Sequence, residues 1–445
     1  MQEIVLPHRA TFLYGPVSVG LPVLLEGFNE CMKHMLDACC GHTYSHAHSV
    51  VRGLITRMGA AVKNISNLRQ ARSEMDKIEL WETLVTVSSR DSTDDRDRIF
   101  GVLGLVNKWY DKPLVVDYAC TPMDVYTQVA VATALGKNSL LPLHYPLQKN
   151  SYPGLPSWVI DWTAPTRSPL SRTHRGRWID PRFQVFPNAG KDRCHIRTHL
   201  DNRILEVKAR RCDRVAIVGQ ACIDEVNKRR QAYCDWFTLA GLDKDPKRPY
   251  RSGGSWFDAF WRCLCWDQVY NRLERENDQD FWGYSRCGKE VPYEDCYDRF
   301  IDFCCRSTTS PFHPKGLPQA SRAAIVELEP RLNGIEEALW GEYSSAVIAQ
   351  RALVHSGTTD MAIFTTDLGY LGVGPADTMV GDEVWCLLGG WMPFVLRLTE
   401  TAQEMAPGKG KKPLHNVLGI SYVHGVMDGE VSDNIEIPQQ YLFLA

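Results

Sequence analysis

Beyond Arg351 the apolar residues come in short runs broken by glycine, and this pattern narrows what the C-terminal part of the chain can form. Residues 362–365, 383–388, 393–398 and 417–423 are each too short for a helix that buries a face, but each suits a strand. Gly389-Gly390 between the second and third of these fits a hairpin turn. A succession of short antiparallel strands closes most readily into a small barrel or a sandwich.

The N-terminal part carries the opposite signal. Within residues 21–105, Leu25, Phe28, Met32 and Met35, then Ile78, Trp81, Leu84 and Val85, recur at helical spacing. Ser92, Thr93 and Asp94 offer side-chain acceptors to the free amides of a helix start, Ile99, Phe100, Leu103 and Leu105 give that helix its buried face, and Gly104 can close it. Residues 115–118 read as a short strand, and Thr121-Pro122 opens a helix through Val125, Val129 and Val131. Residues 155–162 read as extended chain, and 163–187, rich in Pro, Ser and Arg without either period, as an irregular connection.

Further along, 204–207 and 215–218 read as strands, 243–255 as a polar loop, 256–266 as a buried helix and 323–339 as another helix. The expected fold is α+β. It comprises a mainly helical region over 1–162, a mixed helical region with long loops over 163–350, and a small antiparallel β barrel or sandwich over 351–445.

Composition excludes several classes. A chain of 445 residues with 44% hydrophobic content can bury more than one core, and a net charge of -3 gives no overall field to attract nucleic acid or an anionic membrane. The longest apolar stretch, 384–398, is broken by Gly389, Gly390 and Pro393 and falls short of the roughly 20 residues a bilayer requires. The first residues lack the basic start and apolar core of a secretion signal, so the 15 cysteines, an odd number, are expected to be reduced thiols in a cytoplasmic protein.

Several short motifs, in a fixed order, resemble the fungal heterokaryon-incompatibility (HET) family. They begin with Gln2-Glu3-Ile4 and Arg9-Ala10-Thr11, then Asp94, Arg96 and Asp97 leading into Ile99-Phe100 and Leu103-Gly104-Leu105. Asp117-Tyr118 and Val125-Tyr126 follow, and then Leu155-Pro156-Ser157-Trp158-Val159 with Asp161-Trp162. The last matches are Gly369-Tyr370-Leu371-Gly372, Gly374-Pro375, Gly381-Asp382, Pro393, Leu396-Arg397, Tyr422-Val423-His424-Gly425 and Met427-Asp428-Gly429-Glu430. The resemblance implies a module for recognition or for regulation of programmed cell death. The family's named N-terminal domain, described as related to TIR domains, has no counterpart in these motifs, and Met1 falls after the tryptophan that normally precedes the Gln-Glu pair. A truncated family member is the expectation, with protein partners or full-length relatives as its targets.

Candidate sites are few. Asp382, Arg397, His424 and Glu430 could converge as an active site if the barrel closes. A separate reading is an enzyme of secondary metabolism, of cyclase or isomerase type, with an aromatic-rich apolar pocket between the helical region and the C-terminal strands for a small apolar substrate. Cys39, Cys40, His46 and His48 are the densest set of metal-ligand types, but no second ligand pair follows at zinc-site spacing, so a polar helix connection is the expectation and no metal or cofactor is assigned. Cys263 with Cys265 and Cys304 with Cys305 lack dithiol spacing and read as buried thiols. Arg96 or Arg98 could meet a phosphate, though local pairing at a helix start explains them more simply. Arg167, Arg172, Arg175, Arg177 and Arg182, with His174 and Trp178, read as a solvated loop, and nucleic-acid binding is not expected. Gly369, Gly372 and Gly374 read as turn residues.

Overall fold

The computed structural model describes residues 2–36, 49–75, 78–88, 90–145, 152–164, 186, 194–273, 281–306, 323, 326–332, 345–408 and 410–445. It divides into two compact units, one of Met1–Lys137, Gln148–Leu155 and Ile160–Ile179, the other of Asn138–Leu147, Pro156–Val159 and Asp180–Ala445.

The first unit is mainly helical. A short helix α1 (Gln2–Val5) precedes a hairpin of β1 (Thr11–Tyr14) and β2 (Val17–Gly20), then come α2 (Leu21–Leu36), α3 (Ser49–Gln70), α4 (Leu80–Val87), α5 (Asp97–Leu103) and α6 (Pro122–Lys137). Arg69, near the end of α3, donates to the carbonyls of Ile4 at 2.7 Å, Pro7 at 2.8 Å and His8 at 3.1 Å, which ties the N-terminal turn to the long helix. The helical spacing gives each helix a buried face: Leu80, Trp81 and Leu84 of α4, Ile99 and Val102 of α5, and Tyr126, Val129 and Ala130 of α6 are all buried.

Gly104 closes α5 as expected, while three other local expectations fail for identifiable reasons. Residues 115–118 form no strand; Val115 is 77% exposed, and Asp117 instead folds a turn by accepting from the Ala119 amide at 2.8 Å. Asp94 does not cap α5, because its carboxylate takes the amide and guanidinium of Arg96, the residue at the cap position. Gly104 ends α5 with an ordinary right-handed backbone, and its role is spatial: a Cβ there would come within 2.8 Å of the Gln2 side chain. Residues 155–162, expected to be extended, form successive turns closed by Leu155 N to Tyr152 O at 3.2 Å and Val159 N to Pro156 O at 2.9 Å.

The second unit is built on β4 (Ile204–Val218), preceded by β3 (Ile196–His199). The sequence reads as two short strands separated by charge, but it forms one strand of 15 residues, with irregularities at Arg211/Asp213 and Val215/Ile217. Of the intervening charges, Arg211 pairs with Glu383 at 3.0 Å, while Arg210 is buried and donates to the Ile437 carbonyl.

After β4 come α7 (Val226–Leu239), α8 (Trp256–Cys265), a hairpin of β5 (Gln268–Leu273) and β6 (Phe281–Arg286), α9 (Tyr293–Arg306) and α10 (Ser345–Thr358). Residues 351–358, placed in the strand region by the sequence pattern, belong to α10, which buries Gln350, Leu353, Val354 and Thr358 at helical spacing. Of the helix expected over 323–339, residues 323 and 326–328 are helical and Pro330–Leu332 is a 3-10 turn, while 333–339 lie outside the described residues.

The strands that follow are β7 (Met361–Thr366), β8 (Leu371–Pro375), β9 (Glu383–Leu387), β10 (Pro393–Glu404), β11 (Lys411–Ile420), β12 (Tyr422–Val423) and β13 (Gln439–Leu444). Because β4 pairs with both β13 and β9, the order β4-β13-β11-β10-β9 returns to β4 and closes a ring, from which β7, β8 and β12 continue as a sheet. Closure removes the exposed edges of the ring strands. The β11–β13 pair is parallel, a departure from the antiparallel expectation. Val215, Phe364, Val384, Cys386, Val395 and Val423 form the apolar centre. Gly372 and Gly374, read as turn residues, lie within β8 and leave room for the Phe364 ring, which a Cβ would approach to 2.7 and 3.0 Å respectively.

Candidate functional site

The motif residues of the first unit gather around the start of α5. Arg96 grips Asp94 with two arms of its guanidinium, at 3.0 and 2.7 Å, and donates to the carbonyls of Tyr118 at 2.5 Å and Cys120 at 3.2 Å. Its guanidinium also lies 5.1 Å from the centre of the Tyr118 ring. Tyr118 in turn donates its hydroxyl to Asp97 at 2.5 Å, and Tyr126 donates to the Asp95 carbonyl at 2.8 Å. Tyr152 donates to the Asp95 carboxylate. Residues spread from 94 to 152 therefore converge on one turn.

The electrostatics of this cluster favour cohesion over reactivity. Hydrogen bonds from Arg96 hold the Asp94 carboxyl down to about 2, and the hydrogen bond to Asp117 pushes the Cys120 thiol above its ordinary value, away from the thiolate a nucleophile requires. A fork of this kind needs a planar guanidinium. Arg96→Lys should therefore lower the melting temperature and speed amide exchange over 117–121; unchanged melting together with unchanged exchange would show that Arg96 does not hold this loop.

The remaining motif residues of 155–164 are structural as well. Trp158 is fully buried and its indole donates to the Arg203 carbonyl at 3.4 Å, Asp161 accepts from the Thr163 amide at 2.9 Å, and Trp162 meets Trp81 edge-on with ring centres 6.0 Å apart. Gln2 donates to the Gly101 carbonyl at 3.3 Å, and Glu3 lies in the first turn of α1. Two cavities border the cluster. One of 660 Å³ is walled by residues 93–97 and 119–122, and one of 420 Å³ lies between the end of α4 and α5.

In the second unit the four catalytic candidates fall into three separate settings. Asp382 and Arg397 form a two-armed pair at 2.8 Å, with Arg397 also donating to the Asp377 carbonyl and Asp382 accepting from the Met379 amide, so together they brace the turn before β9, whose first residue follows Gly381-Asp382. Glu430 accepts from the Asp428 amide at 2.7 Å within its own turn. His424 lies against Tyr250 with the rings tilted and hydrogen-bonds the Tyr422 hydroxyl through Nδ1 at 3.0 Å.

His424 instead borders a buried ionic group that spacing in sequence does not reveal. Asp267, 2% exposed, lies 3.0 Å from both Arg262 and Arg286, and Arg286 continues to Asp428 at 2.9 Å, where Lys289 also pairs at 2.6 Å. Asp267 is aimed inward by two consecutive left-handed residues, Trp266 and Asp267, with φ of 54° and 55°. That conformation is unfavourable for a residue with a Cβ. It is held because the Trp266 indole donates to the Gly357 carbonyl at 2.7 Å and the Asp267 amide to the Arg262 carbonyl at 2.8 Å. Burial pushes the Asp267 carboxyl up against the pull of Arg262 and Arg286, while the partners of Arg286, Asp428 first, hold its guanidinium above the ordinary range despite its burial. The only sequence signal for this group is Asp428, within the last motif.

The cysteine candidates are packing residues. Cys263, Cys265 and Cys304 are fully buried, and burial raises the Cys263 thiol well above its ordinary value. Cys265 donates to the Trp261 carbonyl and Cys305 to the Arg331 carbonyl, both at 3.4 Å. Cys212 and Cys386 bring their sulfurs to 3.2 Å across β4 and β9. Cys39, Cys40, His46 and His48 lie outside the described residues, as do Arg167, Arg172, His174, Arg175, Arg177, Trp178 and Arg182; among the described residues no group of three or more His, Cys, Asp or Glu could hold a metal ion. No described helix is long and apolar enough to cross a membrane.

A β ring closed by a long shared strand and flanked by helices defines a mixed α+β protein with a barrel at its C-terminal end, and residues 338–443 match the Het-6 beta-barrel domain. The chain is 25% identical over 397 residues, 82% of its length, to "Heterokaryon incompatibility protein 6, OR allele" of Neurospora crassa. The chain is thus similar to the heterokaryon-incompatibility family, and it spans 52% of the length of that relative. No solved structure matches it. The domain match begins well after β4, so the strand that closes the ring comes from outside the matched segment.

Proposed function

We propose that this chain is a recognition or regulatory module of heterokaryon incompatibility, acting on cell-death signalling through protein partners that include longer relatives. The observation that carries this reading is the similarity over 82% of the chain to an incompatibility protein of Neurospora crassa, with motif residues that serve as braces of one turn. A module whose motifs fix a surface loop suits recognition better than turnover. The test is expression of the tagged chain in Neurospora crassa, alone and together with the incompatibility protein 6 relative, scored by colony viability and by vital-dye uptake. Growth arrest, or a changed incompatibility response in the co-expressing strain, is the expected result. Normal viability in both strains, with the tagged protein accumulating, would sink the reading.

A further inference from the structure

The cavity of 420 Å³ in the first unit is lined by apolar groups, including Leu84, Val102 and Trp162, and by the charged residues Arg90, Asp91 and Arg98. Of its two cations Arg98 makes only long ion pairs and Arg90 makes none among the described residues. Arg98 donates to the Arg90 carbonyl at 2.8 Å, but its nearest carboxylates, Asp91 at 3.6 Å and Asp95 at 3.9 Å, are beyond hydrogen-bond reach, and its Nε is buried without a partner. Asp91 is turned outward, with its side chain 79% exposed, and Asp95 is taken by Tyr152. The Arg90 guanidinium has no hydrogen bond or ion pair among the described residues, and burial lowers its pKa. Half-buried arginines normally have a counter-charge. Arg90 has none among the described residues, and Arg98 has only the two long pairs to Asp91 and Asp95.

We infer that this cavity binds a small organic monoanion, a carboxylate with an apolar tail, whose charge is met by Arg90 and Arg98 and whose tail lies against Leu84, Val102 and Trp162. A carboxylate matches the planar fork of a guanidinium. A dianion such as phosphate fits less well, because Asp91 and Asp97 line the same cavity and repel the second charge. The volume lies within the range of small-molecule sites. This inference stands apart from the incompatibility reading, since it rests on the geometry of the first unit alone.

Isothermal titration calorimetry of the full chain with 4-phenylbutyrate tests it, with the neutral 4-phenylbutyramide and inorganic phosphate as comparisons. Saturable binding of the carboxylate is expected, at least about tenfold tighter than either comparison and weakened about tenfold or more by Arg90→Gln. Because Arg90 has no side-chain partner to lose, Arg90→Gln should melt no lower than the parent, which separates loss of the site from loss of the fold. No saturable heat with the carboxylate, equal binding of the amide or of phosphate, or unchanged binding by Arg90→Gln would each overturn the inference.

Discussion

Between pH 6.5 and pH 4 the barrel unit should lose stability steeply, because His144 and His424 resist protonation in the fold. His144 is fully buried and uses both ring nitrogens: Nδ1 lies 3.0 Å from the Leu140 carbonyl, and Nε2 accepts from the Trp391 amide at 2.9 Å. Only the neutral ring with its proton on Nδ1 satisfies both, and burial brings its pKa down to about 4. His424 is also lowered to about 4, by burial first and then by Arg262 and Arg286, against the opposing pull of Asp258 and Asp428. Burial depresses His355 in the same direction.

The sign follows from proton counting. Above about pH 6.5 both folded and unfolded chains hold these rings neutral and their contribution is complete. As pH falls toward 4 the unfolded chain takes up protons the folded chain refuses, so stability falls, by on the order of 3 kcal/mol for each histidine once pH 4 is reached. Carboxylates held down by their partners, such as Glu79 at about 2, act in a lower window, below their ordinary 4.5. Urea unfolding at a series of pH values would measure the slope. His144→Gln, whose amide can donate to one partner and accept from the other, should flatten it; an unaltered slope between pH 6.5 and 4 would exclude His144 as a source.

What was legible in the sequence was periodicity. The helical core of α4 to α6 and the strands after residue 361 could be read because one face of each is apolar, and the α+β class followed. Closure of the ring was not legible, since it depends on β4 pairing with strands some 170 to 240 positions later, and the charges at Lys208, Arg210 and Arg211 mask a continuous strand. The turn over 155–162 was misread because Trp158, Val159 and Ile160 are buried like strand residues but their backbone closes turns. Among the site candidates, the pairing of Asp382 with Arg397 was within reach because β10 follows β9 directly. The Asp267 group was not, because its members come from the end of α8, the end of β6 and a C-terminal turn, joined only by the fold.

That group should give the largest response to substitution. Arg286→Met removes the guanidinium that links Asp267 to Asp428 and leaves a carboxylate 2% exposed with Arg262 as its remaining partner. Removing one member of a buried ion pair costs about 3–5 kcal/mol, because the survivor stays desolvated without its compensation. Adding Asp267→Asn removes that survivor's charge while keeping a residue type that tolerates a φ of 55°. The double variant should therefore be less destabilised than the two single variants summed, by about 1–3 kcal/mol. Urea unfolding of the parent, both single variants and the double variant measures the coupling. If the effects simply add, or if Arg286→Met costs under about 1 kcal/mol, the charges are solvated and not a buried network.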